Sequence, residues 1–208
     1  PFLIEEHFKL LRYAVEHGYS DRIDIHYNTN GTVYPDDEEV ALWAKFKNVE
    51  IAVSIDNTDA RFEYERYGAK WEEVKANIVK FNAMKTSQIQ TQVCMTINIQ
   101  NVYYLPELCD WVNTQEFDMV HFNMLHDPDV MCINKMTSAA QRLVIDRLTA
   151  YPFNVRHRVE VNKIIQFIEN GDGSDGVEFV NRMKQTDEYR GQSFSVTHTE
   201  IAKAMGYE

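Results

Sequence analysis

Polar side chains follow four strand-like apolar runs along this chain of 208 residues. They lie at residues 28–32, 54–56, 96–101 and 121–125, and they include hydroxyl, amide and carboxylate groups. Helical patterns separate the four runs, so the strands are expected to be parallel, with their carboxyl ends along one edge of a sheet. Small ligands bind at that edge in α/β proteins. The order of these residue types therefore predicts a ligand site for polar groups.

The elements that must position these residues follow from hydrophobic periodicity. Strands are predicted at 23–28, 49–55, 89–98 and 119–125, and helices at 4–17, 36–46, 70–85, from Pro106 onward and at 138–149. A closed eight-stranded barrel needs about 250 residues and more strands than these. We predict an α/β fold of about four parallel strands with flanking helices, forming part of a TIM-type (β/α) barrel. Residues 1–150 would form this part, and residues 151–208 a short helical extension.

Charge and composition narrow the classes of partner. The chain has 21 basic and 32 acidic residues, which gives a formal net charge of −11. Such a surface repels nucleic-acid phosphates and anionic membranes, so neither is an expected partner. Only three cysteines are present and no apolar stretch approaches the roughly 20 residues that span a bilayer. We expect a cytoplasmic protein.

Taken together, the motifs resemble those of the radical S-adenosylmethionine (SAM) enzymes. The segments 28–32 and 54–56 are similar to the third and fourth strand ends of that family, and Arg66 follows Ser54 at the spacing of its peptide- and protein-modifying branch. The segments 96–101 and 121–125 are similar to the fifth and sixth strand ends. Pro1 resembles the last residue of the Gly-Gly-Glu-Pro motif, and residues 187–193 with 199–201 resemble the end of a short "twitch" extension.

The resemblance implies a set of SAM-binding residues. Ser54 and Arg66 would hold the carboxylate of the methionine part, which suits a hydroxyl donor and a guanidinium group. Asp56 and Asn30 would contact the ribose hydroxyls. The resemblance also implies that Asn98 contacts the ribose or the carboxylate, and that the main chain at Leu125 contacts the adenine. Pro1 is the last of the implied SAM-binding residues. No catalytic residue and no metal ligand is assigned.

The family's CxxxCxxC loop, which holds a [4Fe–4S] cluster, does not occur among these residues. The resemblance implies that this loop and the first two strands precede Pro1 in a longer parent enzyme. We therefore expect this chain to be the C-terminal portion of a radical SAM enzyme and to be inactive in SAM cleavage by itself. Its substrate, a peptide, protein or small molecule, is not identified. An edge strand exposed by the missing strands would favour self-association.

Other interpretations of the same residues stay open. Asn30-Gly31 is a common turn dipeptide, and Ser54 and Asp56 could form turn hydrogen bonds. Arg66 could pair with a glutamate of its own charged segment. A metal site that includes His126 is conceivable, although a turn explains that segment as well. The whole chain could instead be a non-catalytic module that binds a nucleoside or a peptide. An aromatic group, Phe62, Tyr64, Tyr67 and Trp71, is predicted to lie in the core.

Overall fold

The computed structural model of the chain describes residues 2–207. Its strands are β1 (Asp24–Thr29), β2 (Asn48–Ser54), β3 (Ile89–Ile97) and β4 (Met119–Met124). The helices of the first part are α1 (Glu5–Glu16), α2 (Asp37–Trp43), α3 (Asp59–Glu65), α4 (Trp71–Ala83) and α5 (Leu105–Asn113). They are followed by α6 (Ser138–Ala150), α7 (Val155–Glu169), α8 (Val177–Arg190), α9 (Phe194–Thr197) and α10 (Thr199–Ala204). Short 3-10 turns lie at Ser20–Arg22, Val102–Tyr104, Asp129–Met131 and Ile133–Lys135.

The four strands form one parallel sheet in the order β1-β2-β3-β4, with helices in the connections. Tyr27 lies opposite Ile51, and Ile51 lies opposite Thr91. The predicted α/β fold with four parallel strands and flanking helices is confirmed. Each strand begins and ends within a residue or so of its predicted bounds.

Local sequence signals explain where the helices begin and end. Asp36 accepts the N–H of Glu39 at 2.8 Å while the Glu39 carboxylate accepts the N–H of Asp36, so α2 starts with a complete capping box. Asn154 caps α7 by accepting the N–H of His157 at 2.8 Å. Beyond α1 the chain turns at Gly18, whose φ of 69° favours glycine.

The described chain divides into two compact units, and neither is continuous in sequence. Unit 1 comprises residues 1–55, 68–95 and 115–121, and unit 2 comprises residues 56–67, 96–114 and 122–208. The predicted boundary at residue 150 between a barrel part and an extension stays a prediction.

Unit 1 is built on β1, β2 and most of β3. Alternate residues of β2, which are Val49, Ile51 and Val53, are almost completely buried. Behind β1, the buried Tyr27 hydroxyl accepts the Trp43 indole N–H at 3.0 Å and lies 2.7 Å from His7 Nε2. Burial raises the pKa of Tyr27 to about 12. Apolar burial and this hydrogen-bond chain together fix the start of unit 1 against its sheet.

Unit 2 has a buried carboxylate, Asp187 of α8. Asp187 Oδ1 accepts the Tyr64 hydroxyl at 2.8 Å. Its Oδ2 accepts the Phe194 N–H at 2.7 Å and the Tyr207 hydroxyl at 2.6 Å. One side chain thus connects α3, α8, α9 and the residues after α10, and three donors offset the cost of burying its charge.

A second buried network in unit 2 surrounds His198, which is completely buried. Its Nε2 lies 3.2 Å from Glu65 Oε1, and its Nδ1 lies 2.8 Å from the Thr197 hydroxyl. Glu65 Oε1 also accepts from Asn57 Nδ2 at 2.7 Å. These polar groups hold the end of α3 to the segment between α9 and α10.

The structure differs from the sequence prediction around α3, which was not predicted. The seven residues of α3 end before Arg66, and the chain turns at Gly68, with a φ of 89°, before α4 begins at Trp71. Tyr67 and Trp71 therefore do not share a helix. Phe62, Tyr64 and Trp71 are buried as predicted, but Tyr67 is 58% exposed, so its assignment to the core was wrong.

None of the helices within residues 2–207 combines the length and apolar character needed to cross a membrane.

Candidate functional site

The loop after β1 is shaped by a turn at Asn30. Asn30 Oδ1 accepts the N–H of Thr32 at 3.2 Å and its hydroxyl at 2.7 Å. Gly31 has a φ of 75°, and a Cβ there would lie 3.1 Å from both Val53 and Val74. Asn77 donates to the Gly31 carbonyl at 2.9 Å. Asn30 and Gly31 therefore do form a turn. The turn uses the side-chain oxygen of Asn30 as an acceptor, and the amide NH₂ group of Asn30 can still donate.

Asn30 and Ser54 line one cleft in unit 1, at the carboxyl ends of β1 and β2. The cleft has a volume of about 420 Å³, within the range that small-molecule sites occupy. Asn28 and Thr29 add polar groups to its lining, and the apolar part is supplied by Phe2, Leu3, Ile4 and Val33. Ser54 is half-buried at the last position of β2. Two predicted site residues thus share a cavity that combines hydrogen-bonding groups with an apolar wall.

Asp56 and Arg66 form an ion pair within unit 2. Arg66 Nη2 lies 2.5 Å from Asp56 Oδ2, and Asp56 Oδ1 accepts the N–H of Thr96 at 2.7 Å. Both side chains are largely buried. Burial raises the pKa of Asp56, and the positive charge of Arg66 opposes that rise. Both carboxylate oxygens of Asp56 already have a donor, so its predicted contact with a ribose hydroxyl would have to be added to these bonds.

Arg66 keeps one unused donor. Its Nε is buried and has no hydrogen-bond partner within residues 2–207. A buried donor without an acceptor costs about 1–3 kcal/mol, which makes this atom an anomaly in the pair. An anionic oxygen that reached Nε would remove the cost, because a guanidinium group binds a carboxylate through parallel N–H donors.

Asn98 and Leu125 lie in unit 2 after the ends of β3 and β4. The Asn98 side chain forms local bonds, since its Nδ2 donates to the Thr96 carbonyl at 3.1 Å and its Oδ1 accepts the Gln100 N–H at 2.8 Å. The Leu125 N–H donates to the Ile97 carbonyl at 3.0 Å. Asn98 therefore shapes the turn after β3, whatever else it contacts. Pro1, the remaining predicted site residue, lies outside the described residues.

No iron–sulfur site is formed by the cysteines. Cys94 lies in β3, Cys109 is buried in α5, and Cys132 is buried between two 3-10 turns. Within residues 2–207, no group of three or more histidine, cysteine, aspartate or glutamate side chains is arranged to hold a metal ion, and this includes the segment at His126. The residues described do not fit a [4Fe–4S] cluster.

Comparison with known proteins adds no relative: no protein-family model matches the chain, and no curated protein matches it.

Proposed function

We propose that this chain binds S-adenosylmethionine and contributes the side of a radical SAM cleft that holds the methionine and ribose parts. The observation that supports the proposal most directly is the cleft of unit 1, where Asn30 and Ser54 meet at the carboxyl ends of β1 and β2. That edge is where ligands of parallel α/β sheets bind. The order of motifs along the sequence assigns the ligand.

The chemistry of the cleft suits parts of this ligand. The Ser54 hydroxyl is a donor to a carboxylate, and the Asn30 amide NH₂ is a donor to a ribose hydroxyl. Phe2, Ile4 and Val33 supply the apolar contacts that a sulfonium-linked carbon chain needs. Phe2 occupies the position directly after Pro1, the residue that resembles the end of the Gly-Gly-Glu-Pro motif.

Within unit 2, the support is the unused Nε of Arg66. Nε is a suitable donor to an anionic oxygen such as that of a carboxylate, while Nη2 keeps its bond to Asp56. Asp56 then positions the guanidinium group of Arg66 and offsets its positive charge. Asn98 and Leu125 keep the roles that the resemblance implies, as contacts to ribose or carboxylate and to adenine.

The proposal is restricted to binding. In radical SAM enzymes the iron–sulfur cluster supplies the electron that cleaves SAM, and the cysteines of this chain do not fit such a cluster. We therefore propose no cleavage step for these residues alone, and the substrate of a parent enzyme stays unassigned.

Calorimetric titration with SAM tests this proposal. We expect SAM to bind, and we expect Ser54→Ala and Arg66→Ala each to weaken binding about tenfold, which corresponds to 1.4 kcal/mol. Ser138→Ala and Arg142→Ala are the matched controls, because both side chains are exposed and far in sequence from the assigned residues. Both controls should bind SAM like the unaltered chain.

Adenosine and methionine, titrated separately, distinguish the alternatives. Binding of adenosine as tightly as SAM, with no effect of Arg66→Ala, would identify a nucleoside-binding module instead. No detectable SAM binding by the folded chain, or equal losses in the site variants and the controls, would overturn the proposal.

A further inference from the structure

Arg66 follows a second buried acid, Glu65, which is the last residue of α3. The Glu65 side chain is 5% exposed. Burial raises the pKa of the Asp56 carboxyl; the charge of Arg66 opposes this rise, and the negative charge of Glu65 adds to it. An anion at the unused Nε of Arg66 would therefore be repelled by two buried carboxylates. Its binding becomes more favourable when a positive charge is added to this group.

The partners of Glu65 show where such a charge can be added. Glu65 Oε1 accepts from Asn57 Nδ2 at 2.7 Å and lies 3.2 Å from Nε2 of the fully buried His198. An ionised carboxylate only accepts hydrogen bonds, so Nε2 carries the hydrogen of this contact. The second ring nitrogen, Nδ1, then decides whether Glu65 faces a neutral imidazole or an imidazolium ion.

Nδ1 of His198 has a partner that suits both forms. It lies 2.8 Å from the Thr197 hydroxyl, which can donate to a neutral ring. The same hydroxyl can accept from a protonated ring, because the carbonyl oxygens of Ser193 and Phe194 lie 3.3 and 3.4 Å from it and can take its hydrogen. A proton is thus accommodated by rotation of one hydroxyl group.

Asp56 does not accommodate a proton in this way. One of its oxygens faces Nη2 of Arg66 at 2.5 Å, and the other faces the N–H of Thr96 at 2.7 Å. A proton on Asp56 would find no acceptor in either contact, because both partners are donors. The Glu65–His198 pair is therefore the better place for an added proton.

The aromatic surroundings of His198 suit a positive charge. The Phe194 ring stacks on the imidazole at 4.7 Å, and the Tyr64 and Tyr104 rings meet it at steep angles at 5.2 and 5.6 Å. The faces of aromatic rings attract cations. The rings therefore offset part of the cost of burying an imidazolium ion.

The charged groups beyond these rings balance one another. Asp187 and Glu200 accept the hydroxyl groups of Tyr64 and Tyr104, each at 2.8 Å. Two arginines face them: Arg190 donates to the Tyr64 carbonyl at 3.1 Å, and Arg61 lies 4.2 Å from the centre of the Tyr104 ring.

The inner groups therefore decide the balance. They are the acids Asp56 and Glu65 with one arginine, Arg66, and a bound carboxylate would add a further negative charge to them.

We propose that binding of a carboxylate at Arg66 is accompanied by uptake of a proton at the Glu65–His198 pair, which makes this binding pH-dependent. The inference rests on the proposed function, in which Nε of Arg66 is a donor to a carboxylate oxygen. The proton comes from solvent and binds Nδ1 of His198, which then donates to Thr197. Because such coupling is reciprocal, a lower pH strengthens binding. We expect SAM to bind about fivefold more tightly at about pH 6 than at about pH 8.

Calorimetric titration with SAM in buffers of different ionisation enthalpy measures the proton uptake. We expect the unaltered chain to take up a fraction of one proton for each SAM bound. Glu65→Gln and His198→Gln should each remove this uptake, because the first removes the acid and the second cannot be protonated. His126→Gln, an exposed position in unit 2, is the control and should keep it.

Decarboxylated SAM tests the same inference without a mutation. It lacks the carboxylate, so the unaltered chain should bind it without this uptake. Absence of SAM binding would overturn the proposed function and this inference together. Binding of SAM without proton uptake, equal uptake with SAM and decarboxylated SAM, or unchanged uptake in the folded Glu65→Gln and His198→Gln variants would overturn this inference alone.

Discussion

The two units use similar polar side chains in opposite ways. In unit 2 the buried acids Asp187 and Glu65 are surrounded by donors from several helices. In unit 1 Glu50 lies on an accessible sheet face with no lysine or arginine partner in the described part of the chain. Partnered buried groups stabilise a fold, whereas accessible groups with unused hydrogen-bonding capacity are available to a ligand. Loss of a buried, partnered acid in unit 2 should therefore lower stability much more than loss of an accessible acid in unit 1.

The largest effect is expected for Asp187→Ala in unit 2. This change leaves the donors of Tyr64, Phe194 and Tyr207 without their acceptor, and we expect a loss of about 3–5 kcal/mol in the free energy of unfolding. Urea denaturation measures it. Asp24→Ala in unit 1 is the comparison, because its partners are solvent-exposed, and it should change stability little. Equal losses in the two variants would contradict the proposed difference between the units.

A smaller loss is expected for Glu65→Ala, about 2–3 kcal/mol, since it leaves Asn57 and the buried His198 without their shared acceptor. Glu50→Ala removes the same side chain from unit 1 and should change the free energy of unfolding by no more than about 0.5 kcal/mol. Urea denaturation of both variants gives the comparison directly. A large loss in Glu50→Ala would mean that the polar sheet face stabilises the fold.

Self-association through unit 1 is a further expectation. Strand β1 lies at one edge of the sheet, and the apolar side chains of Leu10, Tyr13 and Ile23 in unit 1 are 64%, 52% and 36% exposed. Edge strands pair readily with a second copy of themselves. We expect light scattering to detect a dimer, and Leu10→Glu to weaken it about tenfold. Val159→Glu, an exposed position in unit 2, is the control, and a clean monomer at high concentration would contradict the expectation.

The smallest effect concerns pH. Burial lowers the pKa of His7 in unit 1 and of His157 in unit 2, where the charge of Arg156 adds to the effect. The unfolded chain then binds protons at a higher pH than the folded chain does, so stability falls as the pH drops below about 6.5. His7→Gln and His157→Gln should each flatten part of this decline in thermal unfolding measured between neutral and acidic pH. An unchanged slope in both variants would show that neither histidine contributes.

The sequence predicted the order of strands and helices because burial imposes a clear period on them. Apolar residues at alternate positions, Val49, Ile51 and Val53, indicate a strand. The positions between them begin with the polar Asn48 and Glu50 and continue with the buried Ala52. The residue types at the strand ends carry no information on this alternation, so they do not predict which face of the sheet is polar at its start. Helix α3 was missed because its seven residues are mostly polar, and buried contacts of Phe62 and Tyr64 fix it in place.

The candidate site was predictable only in part for a similar reason. Asn30 and Ser54 share a cleft because parallel strands end at one edge, which the order of elements implies. The pairing of Arg66 with Asp56 depends on how α3 ends, and no local pattern gives that. The unused Nε of Arg66 likewise depends on burial, which spacing along the chain does not reveal.

The interleaving of the two units has a consequence for synthesis on the ribosome. The last segment of unit 1 ends at residue 121, so all of unit 1 is translated before most of unit 2. Tyr64 precedes its partner Asp187 by 123 residues, which is a delay of roughly 6–25 s at bacterial or eukaryotic elongation rates. During that interval Tyr64 of α3 lacks its later partners Asp187 and Phe194. All residues assigned to unit 1 are therefore translated while most of unit 2 is still to be made.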